Sequence, residues 1–117
     1  MTATVLPMLP SALRLKKSDE FDRVFSEGRA AHGRLISVRL RPADRLKAGF
    51  VVGKSVSEQA VVRNRTKRRL RDIVRSAQPR LGAVEIVISA KRPAATAKHA
   101  ALADEFNTLL TRLEVRT

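Results

Sequence analysis

No cysteine occurs in the 117 residues, which removes disulfides and thiolate metal sites and suits a reducing compartment. Tryptophan and tyrosine are absent too, so four phenylalanines supply all the aromatic surface. Acidic residues are scarce, with 11 Asp and Glu against 24 Lys and Arg. No apolar run approaches the ~18 residues of a membrane span. The opening MTATVLPMLPSAL lacks the basic stretch and long apolar core of a secretory signal. His32 and His99 have no ligand-spaced partners, so each is expected to be exposed and uninvolved. No P-loop, GxGxxG or Ser/His/Asp arrangement is visible, and the acids near residue 20 are explained by helix capping and solvation. These absences argue against a membrane protein, a disulfide scaffold and a free-standing hydrolase. They leave a cytoplasmic protein as the expectation.

What the chain has in excess is positive charge. A formal net charge of +13 would drive a folded chain of this size apart unless a polyanion or salt screened it. Nucleic acid is the leading partner, with an acidic membrane surface a lesser one. Hydrophobic content of 44% is enough for a core, and the length suits one domain. Pro7 and Pro10 mark residues 1–10 as a loose, flexible leader, within which Met8 is an alternative start to Met1.

Asp19 and Glu20 after Ser18 suit a helix start, and Phe21, Val24 and Phe25 share one face of a helix over 18–27 that Gly28 stops. In RLISVRLR, Ile36, Val38 and Leu40 alternate with polar residues, the pattern of a half-buried strand over 34–41. A turn at 42–45 leads to a second strand over 47–54, which suits an antiparallel hairpin. Its Gly49 and Gly53 lie on one face and leave room for a close approach. Ser55 and Glu58 have capping-box spacing, with Ser57 a rival cap, before a helix over 59–77 that Pro79 and Gly82 terminate. A third strand covers 83–91 with Val84, Ile86 and Ile88 inward. A last helix over 98–114 buries Leu102, Phe106, Leu109, Leu110 and Leu113.

The helix over 59–77 carries the functional signal. RNRTKRRLR, residues 63–71, holds six basic side chains in nine positions. At about 100° per residue, Val62, Thr66, Leu70, Ile73 and Ala77 form one stripe, bordered by Val74. Arg68, Arg71 and Arg75 lie opposite, Arg65 and Arg69 on one flank, Arg63 and Lys67 on the other. Seven like charges at i,i+3 and i,i+4 spacings, relieved only by Asp72, destabilise a solvated helix. Arginine predominates, and its planar fork matches phosphate. Such a helix suits RNA or DNA alike. Phe21 and Phe25 either stack bases or fill the core.

RLKKSDEFDRVFSEGR (14–29), followed by a hairpin, Lys54 and AVVRNRTKRRLR (60–71), resembles the protein subunit of bacterial ribonuclease P over about residues 9–113. The resemblance implies an α+β fold, an α/β sandwich of about four strands in one mixed sheet with three helices. The order is α-β-β-(β)-α-β-α, the extra short strand falling around 55–62, with a left-handed crossover at the arginine-rich helix. It implies a single RNA-binding domain over 11–117, which binds a catalytic RNA and the single-stranded 5′ leader of precursor tRNA. The RNA, with Mg²⁺ that it largely holds itself, performs the endonucleolytic cleavage, and the protein carries no catalytic residues. The family's arginine-rich signature falls on Arg63, Asn64, Arg65, Lys67, Arg68 and Arg71. Arg69 and Arg75 extend that RNA-facing group. Phe21, Phe25 and Lys54 match residues lining the leader cleft.

Departures from the family pattern are Arg39, where some members have an aromatic, Ser55 in place of a second lysine after Lys54, and Gln59 where asparagine is frequent. Arg39 would bring a phosphate contact or guanidinium stacking to the cleft. The protein is expected to be monomeric, about one per RNA subunit. The other readings are a structural RNA-binding protein of ribosomal type and a DNA binder; the latter lacks an evident dimer element or helix-turn-helix partner.

Overall fold

The computed structural model describes residues 14, 15 and 17–113. The flexible leader expected at 1–10 lies outside the described residues. In chain order the elements are α1 (Ser18–Glu27), β1 (Arg29–His32), β2 (Ile36–Pro42), β3 (Lys47–Val51), α2 (Ala60–Leu81), β4 (Val84–Ala90) and α3 (His99–Arg112), with a 3-10 turn at Arg92–Ala95. The four strands form one mixed sheet in the order β1-β2-β4-β3. Strand β2 is antiparallel to both β1 and β4, whereas β3 runs parallel to β4 with Gly49 opposite Val87.

The sheet separates two apolar layers. Ile36, Val38, Leu40, Ala48, Ile86 and Ile88 meet Leu70, Ile73, Val74 and Ala77 of α2 and Leu102, Phe106, Leu109 and Leu110 of α3. On the other face Val24 of α1 joins Leu15 and Val87, with Phe21 packed against them. The apolar positions expected of α3 are all buried, down to Leu113 just past its end.

Four local expectations change. The hairpin expected between the strands at 34–41 and 47–54 does not form. Strand β4 lies between them, because Ile86, Val87 and Ile88 are buried on both faces and take the sheet centre. The turn after β2 steps across the start of β4, with the Ala43 N–H donating to the Ala83 carbonyl at 3.0 Å. The extra strand is not at 55–62 but at Arg29–His32, where it supplies the true hairpin with β2. Residues 53–56 form a turn closed by the Val56 N–H on the Gly53 carbonyl, which sinks Val56 into the core.

Helix α2 runs on through Pro79 to Leu81 and stops at Gly82, whose φ of 69° is the left-handed conformation that favours glycine. Proline costs one backbone hydrogen bond there, but Ala77 and Leu81 are buried and hold the last turn in place. Helix starts differ too. Lys17, not Ser18, precedes α1, its N–H donating to Glu20 Oε1 at 3.1 Å. Gln59 precedes α2, its N–H donating to Ser57 Oγ at 3.2 Å, so neither Ser55 nor Ser57 is the N-cap itself.

Candidate nucleic-acid interface

Helix α2 tolerates its charge because its buried stripe is continuous and part of its cation set is used internally. Thr66, Leu70, Ile73, Val74, Ala77 and Leu81 are buried, and the Thr66 hydroxyl donates to the Val62 carbonyl at 2.9 Å. Arg63 Nη1 donates to the carbonyls of Ser57 and Glu58, both at 2.9 Å, and ties the β3–α2 connection to the helix. Arg69 Nη1 donates to the Ala97 carbonyl at 2.8 Å, which fastens the chain entering α3. Arg75 pairs with Asp72, whose other oxygen meets His99 Nε2 of α3 at 3.2 Å. The Arg75 hydrogen bond, with the charges of Arg75 and His99, holds the Asp72 carboxyl below its ordinary range against a smaller desolvation.

Arg65, Lys67, Arg68 and Arg71 have no carboxylate partner among the described residues. Asn64, Arg65 and Arg68 are exposed, whereas Lys67 and Arg71 are half-buried. The sequence-predicted RNA-facing group therefore divides. Asn64, Arg65, Lys67, Arg68 and Arg71 remain available to a ligand, while Arg63, Arg69 and Arg75 carry structural contacts as well.

Lys67 and Arg71 open onto a groove of about 410 Å³ beside the β3 edge, which Arg14, Leu15, Phe21, Ala48, Gly49 and Phe50 also line. Phe21 reaches it because Gly49 has no side chain: a Cβ there would sit 2.5 Å from Phe21 Cε1. That is the close approach the glycine allows. A Cβ at Gly53, by contrast, would meet only Ser55 Oγ, 4.0 Å away. The Arg71 guanidinium stacks over the Phe50 ring at 5.9 Å. The lining contains no carboxylate.

The four expected cleft residues lie in three places. Phe21 is in the groove. Phe25, one turn along α1 and 40% exposed, carries Arg39 of β2 over its ring at 5.1 Å. Lys54 lies beyond the end of β3, lining a separate concavity with Gln59 and Arg92. Arg65 and Arg92 share the adjoining surface. Arg14, Phe50 and Arg92 were not anticipated: one precedes α1, one sits in an ordinary-looking strand and one in the 3-10 turn after β4. The histidines are not idle, since His32 Nδ1 and Ser37 Oγ share a hydrogen bond of 2.9 Å and His99 meets Asp72.

The three helices, the four-stranded mixed sheet and the order of elements match the expected architecture. A family model described as Ribonuclease P matches residues 9–114. The chain belongs to the ribonuclease P protein family. The "Ribonuclease P protein component" of Acidothermus cellulolyticus is 47% identical over 114 residues, covering 91% of this chain and 92% of that one. That of Streptomyces avermitilis is 37% identical, covering 91% and 95%. The fold matches the RNase P protein of Staphylococcus aureus with a TM-score of 0.82 at 24% identity, over 92% of this chain and all of that one. It matches that of Thermotoga maritima with a TM-score of 0.75 at 23% identity, over 85% and 96%. Among the described residues no helix is long and apolar enough to cross a membrane.

Proposed function

We propose that α2 grips phosphates of the catalytic RNA through Asn64, Arg65 and Arg68, and that the groove beside β3 takes the single-stranded 5′ leader of precursor tRNA. As a ribonuclease P protein the chain binds RNA and serves tRNA processing within an endoribonuclease complex, partnered with the ribonuclease P RNA and its tRNA substrate. The observation that carries the finer assignment is the set of four cations on a fixed helix with no carboxylate partner among the described residues, two of which open onto an acid-free groove lined by Phe21 and Phe50. Cations in such a lining attract backbone phosphates, and rings accept bases in a sequence-tolerant way. The Arg39–Phe25 stack extends this surface along α1 with a guanidinium plane on which a further base stacks.

The chain's part in the reaction, on this reading, is to bind and orient RNA, with one monomeric protein per RNA. No three His, Cys, Asp or Glu side chains come together among the described residues as a metal-ligand set. The described residues thus do not fit a protein-built Mg²⁺ cage. We assign the Mg²⁺ of the complex to RNA phosphates and water, in keeping with its reluctance to dehydrate.

The test compares binding of precursor tRNA with and without its leader to the reconstituted complex. Phe21→Leu, which keeps apolar bulk but loses the ring, and Lys67→Ala are expected to weaken leader-bearing substrate by about tenfold or more, given ~1–3 kcal/mol per stacked base. Leaderless tRNA should be unaffected. Equal losses on both substrates would overturn the groove assignment and favour a purely structural RNA-binding role.

A further inference from the structure

The segment before α1 makes a contact that the arginine-rich signature does not require. Arg14 forms a parallel bridge with Ala48, and the Leu15 N–H donates to the Ala48 carbonyl at 2.8 Å. Leu15 is buried against Val24 and Val87. These contacts fix the backbone at residue 14 along the free edge of β3 and make Arg14 a wall of the groove that Lys67 and Arg71 also line. Three cations converge there without an acid. Among the described residues the Nε atoms of Arg14, Arg71 and Arg75 are buried without a hydrogen-bond partner, and the first two belong to this groove. A buried donor without an acceptor is costly, and an anion entering from outside satisfies it.

We infer that Arg14, Lys67 and Arg71 form a clamp for one RNA phosphodiester, which makes Arg14 a binding residue. The inference rests on the reading of the groove as an RNA site and adds the group that the helix alone does not provide. Two guanidinium forks and one ammonium present directional donors to the phosphate oxygens. The neighbouring Phe21 ring suits the base of an unpaired nucleotide, so single-stranded RNA fits and a closed duplex does not. Two strands could supply the phosphate: the leader, or an unpaired segment of the catalytic RNA.

The full chain carrying Arg14→Ala or Arg14→Lys separates these cases. Affinity is measured across a salt series for three pairs: complex with leader-bearing precursor, complex with leaderless tRNA, and protein with catalytic RNA. The β-bridge and the Leu15 hydrogen bond are backbone contacts, so both variants should fold with the parent melting temperature. Loss of one phosphate contact should weaken one pair by about tenfold, and flatten its slope of log affinity against log salt by about 0.7. Arg14→Lys should restore most of both. A loss confined to leader-bearing precursor identifies the leader as the source; a loss with catalytic RNA identifies that RNA instead. Unchanged affinity and slope for all three pairs would overturn the clamp. So would equal losses in both variants with unchanged slope, which would mean that Arg14 only packs. If the parent complex fails to distinguish leader-bearing from leaderless substrate, the leader reading falls, while the Arg14 effect on catalytic RNA remains measurable.

Discussion

Replacing Glu105 by alanine should unfasten the β1–β2 hairpin from α3. The Glu105 carboxylate accepts three successive backbone N–H groups, from Arg34 at 3.0 Å, Leu35 at 2.7 Å and Ile36 at 2.8 Å. Arg34 is exposed, so water replaces its lost bond at little cost. Leu35 and Ile36 are 4% and 0% exposed, which leaves their two donors stranded. At ~1–3 kcal/mol for each stranded donor, the loss is about 2–6 kcal/mol. That is a large part of the ~5–15 kcal/mol expected of the whole domain. At about 4 °C per kcal/mol the melting temperature should fall by roughly 8–24 °C. Glu105→Gln, which keeps one acceptor oxygen, should fall by less than half as much. Gly33→Ala should resemble it, because a Cβ at Gly33 would lie 2.5 Å from Glu105 Cδ and push the carboxylate off its donors. Thermal and urea unfolding read all three variants. A Glu105→Ala protein melting within about 3 °C of the parent would refute the reasoning.

Gly49→Ala should displace the Phe21 ring and weaken binding of leader-bearing substrate more than it lowers the melting temperature, measured by both assays on one preparation. The available cations of α2 should make binding to catalytic RNA fall steeply with salt, and Arg68→Ala should flatten the log–log slope by about 0.7–0.9. Sulfate or phosphate should raise the melting temperature of the free protein by binding the native cation set, so a flat titration would count against that set. Asp72, held below its unfolded value of 3.8 by Arg75 and His99, favours the folded state above about pH 4, and this contribution is lost as pH falls through the native value. The half-exposed site limits it to about 1 kcal/mol or less. The stability gap between parent and Asp72→Asn should therefore be constant from pH 5 to 6 and shrink below pH 4. A gap that widens in acid would reverse the assignment.

Elements whose burial follows one period were legible in the sequence. The stripe Leu102, Phe106, Leu109 and Leu110 specifies α3, and Thr66, Leu70 and Ile73 specify the face of α2. Pairing was less legible, because a period-two pattern defines a strand's faces and not its neighbours. Strands β2 and β3 looked like a hairpin until the burial of Val87 on the second face put β4 between them. Strand β1, with the sequence RAAH, has neither alternation nor β-branched residues and owes its conformation to pairing with β2. In the candidate site, the signature located the cations but could not say which were already engaged. The contacts of Arg63 run to carbonyls five and six residues back in the β3–α2 connection, and that of Arg69 runs to the Ala97 carbonyl before α3, a long-range consequence of packing. The position of Arg14 depends on its bridge to Ala48 and on the Leu15 hydrogen bond to the same residue, which no local pattern announces.

The most direct test of the account is cleavage of a leader-bearing precursor tRNA at near-physiological Mg²⁺ by the purified protein, by its cognate catalytic RNA, and by the two together. The account predicts efficient 5′ processing only when both are present, reduced when Arg65 and Arg68 are replaced by alanine. Cleavage by the protein alone would contradict it, as would a protein that binds the catalytic RNA tightly and leaves its cleavage unchanged.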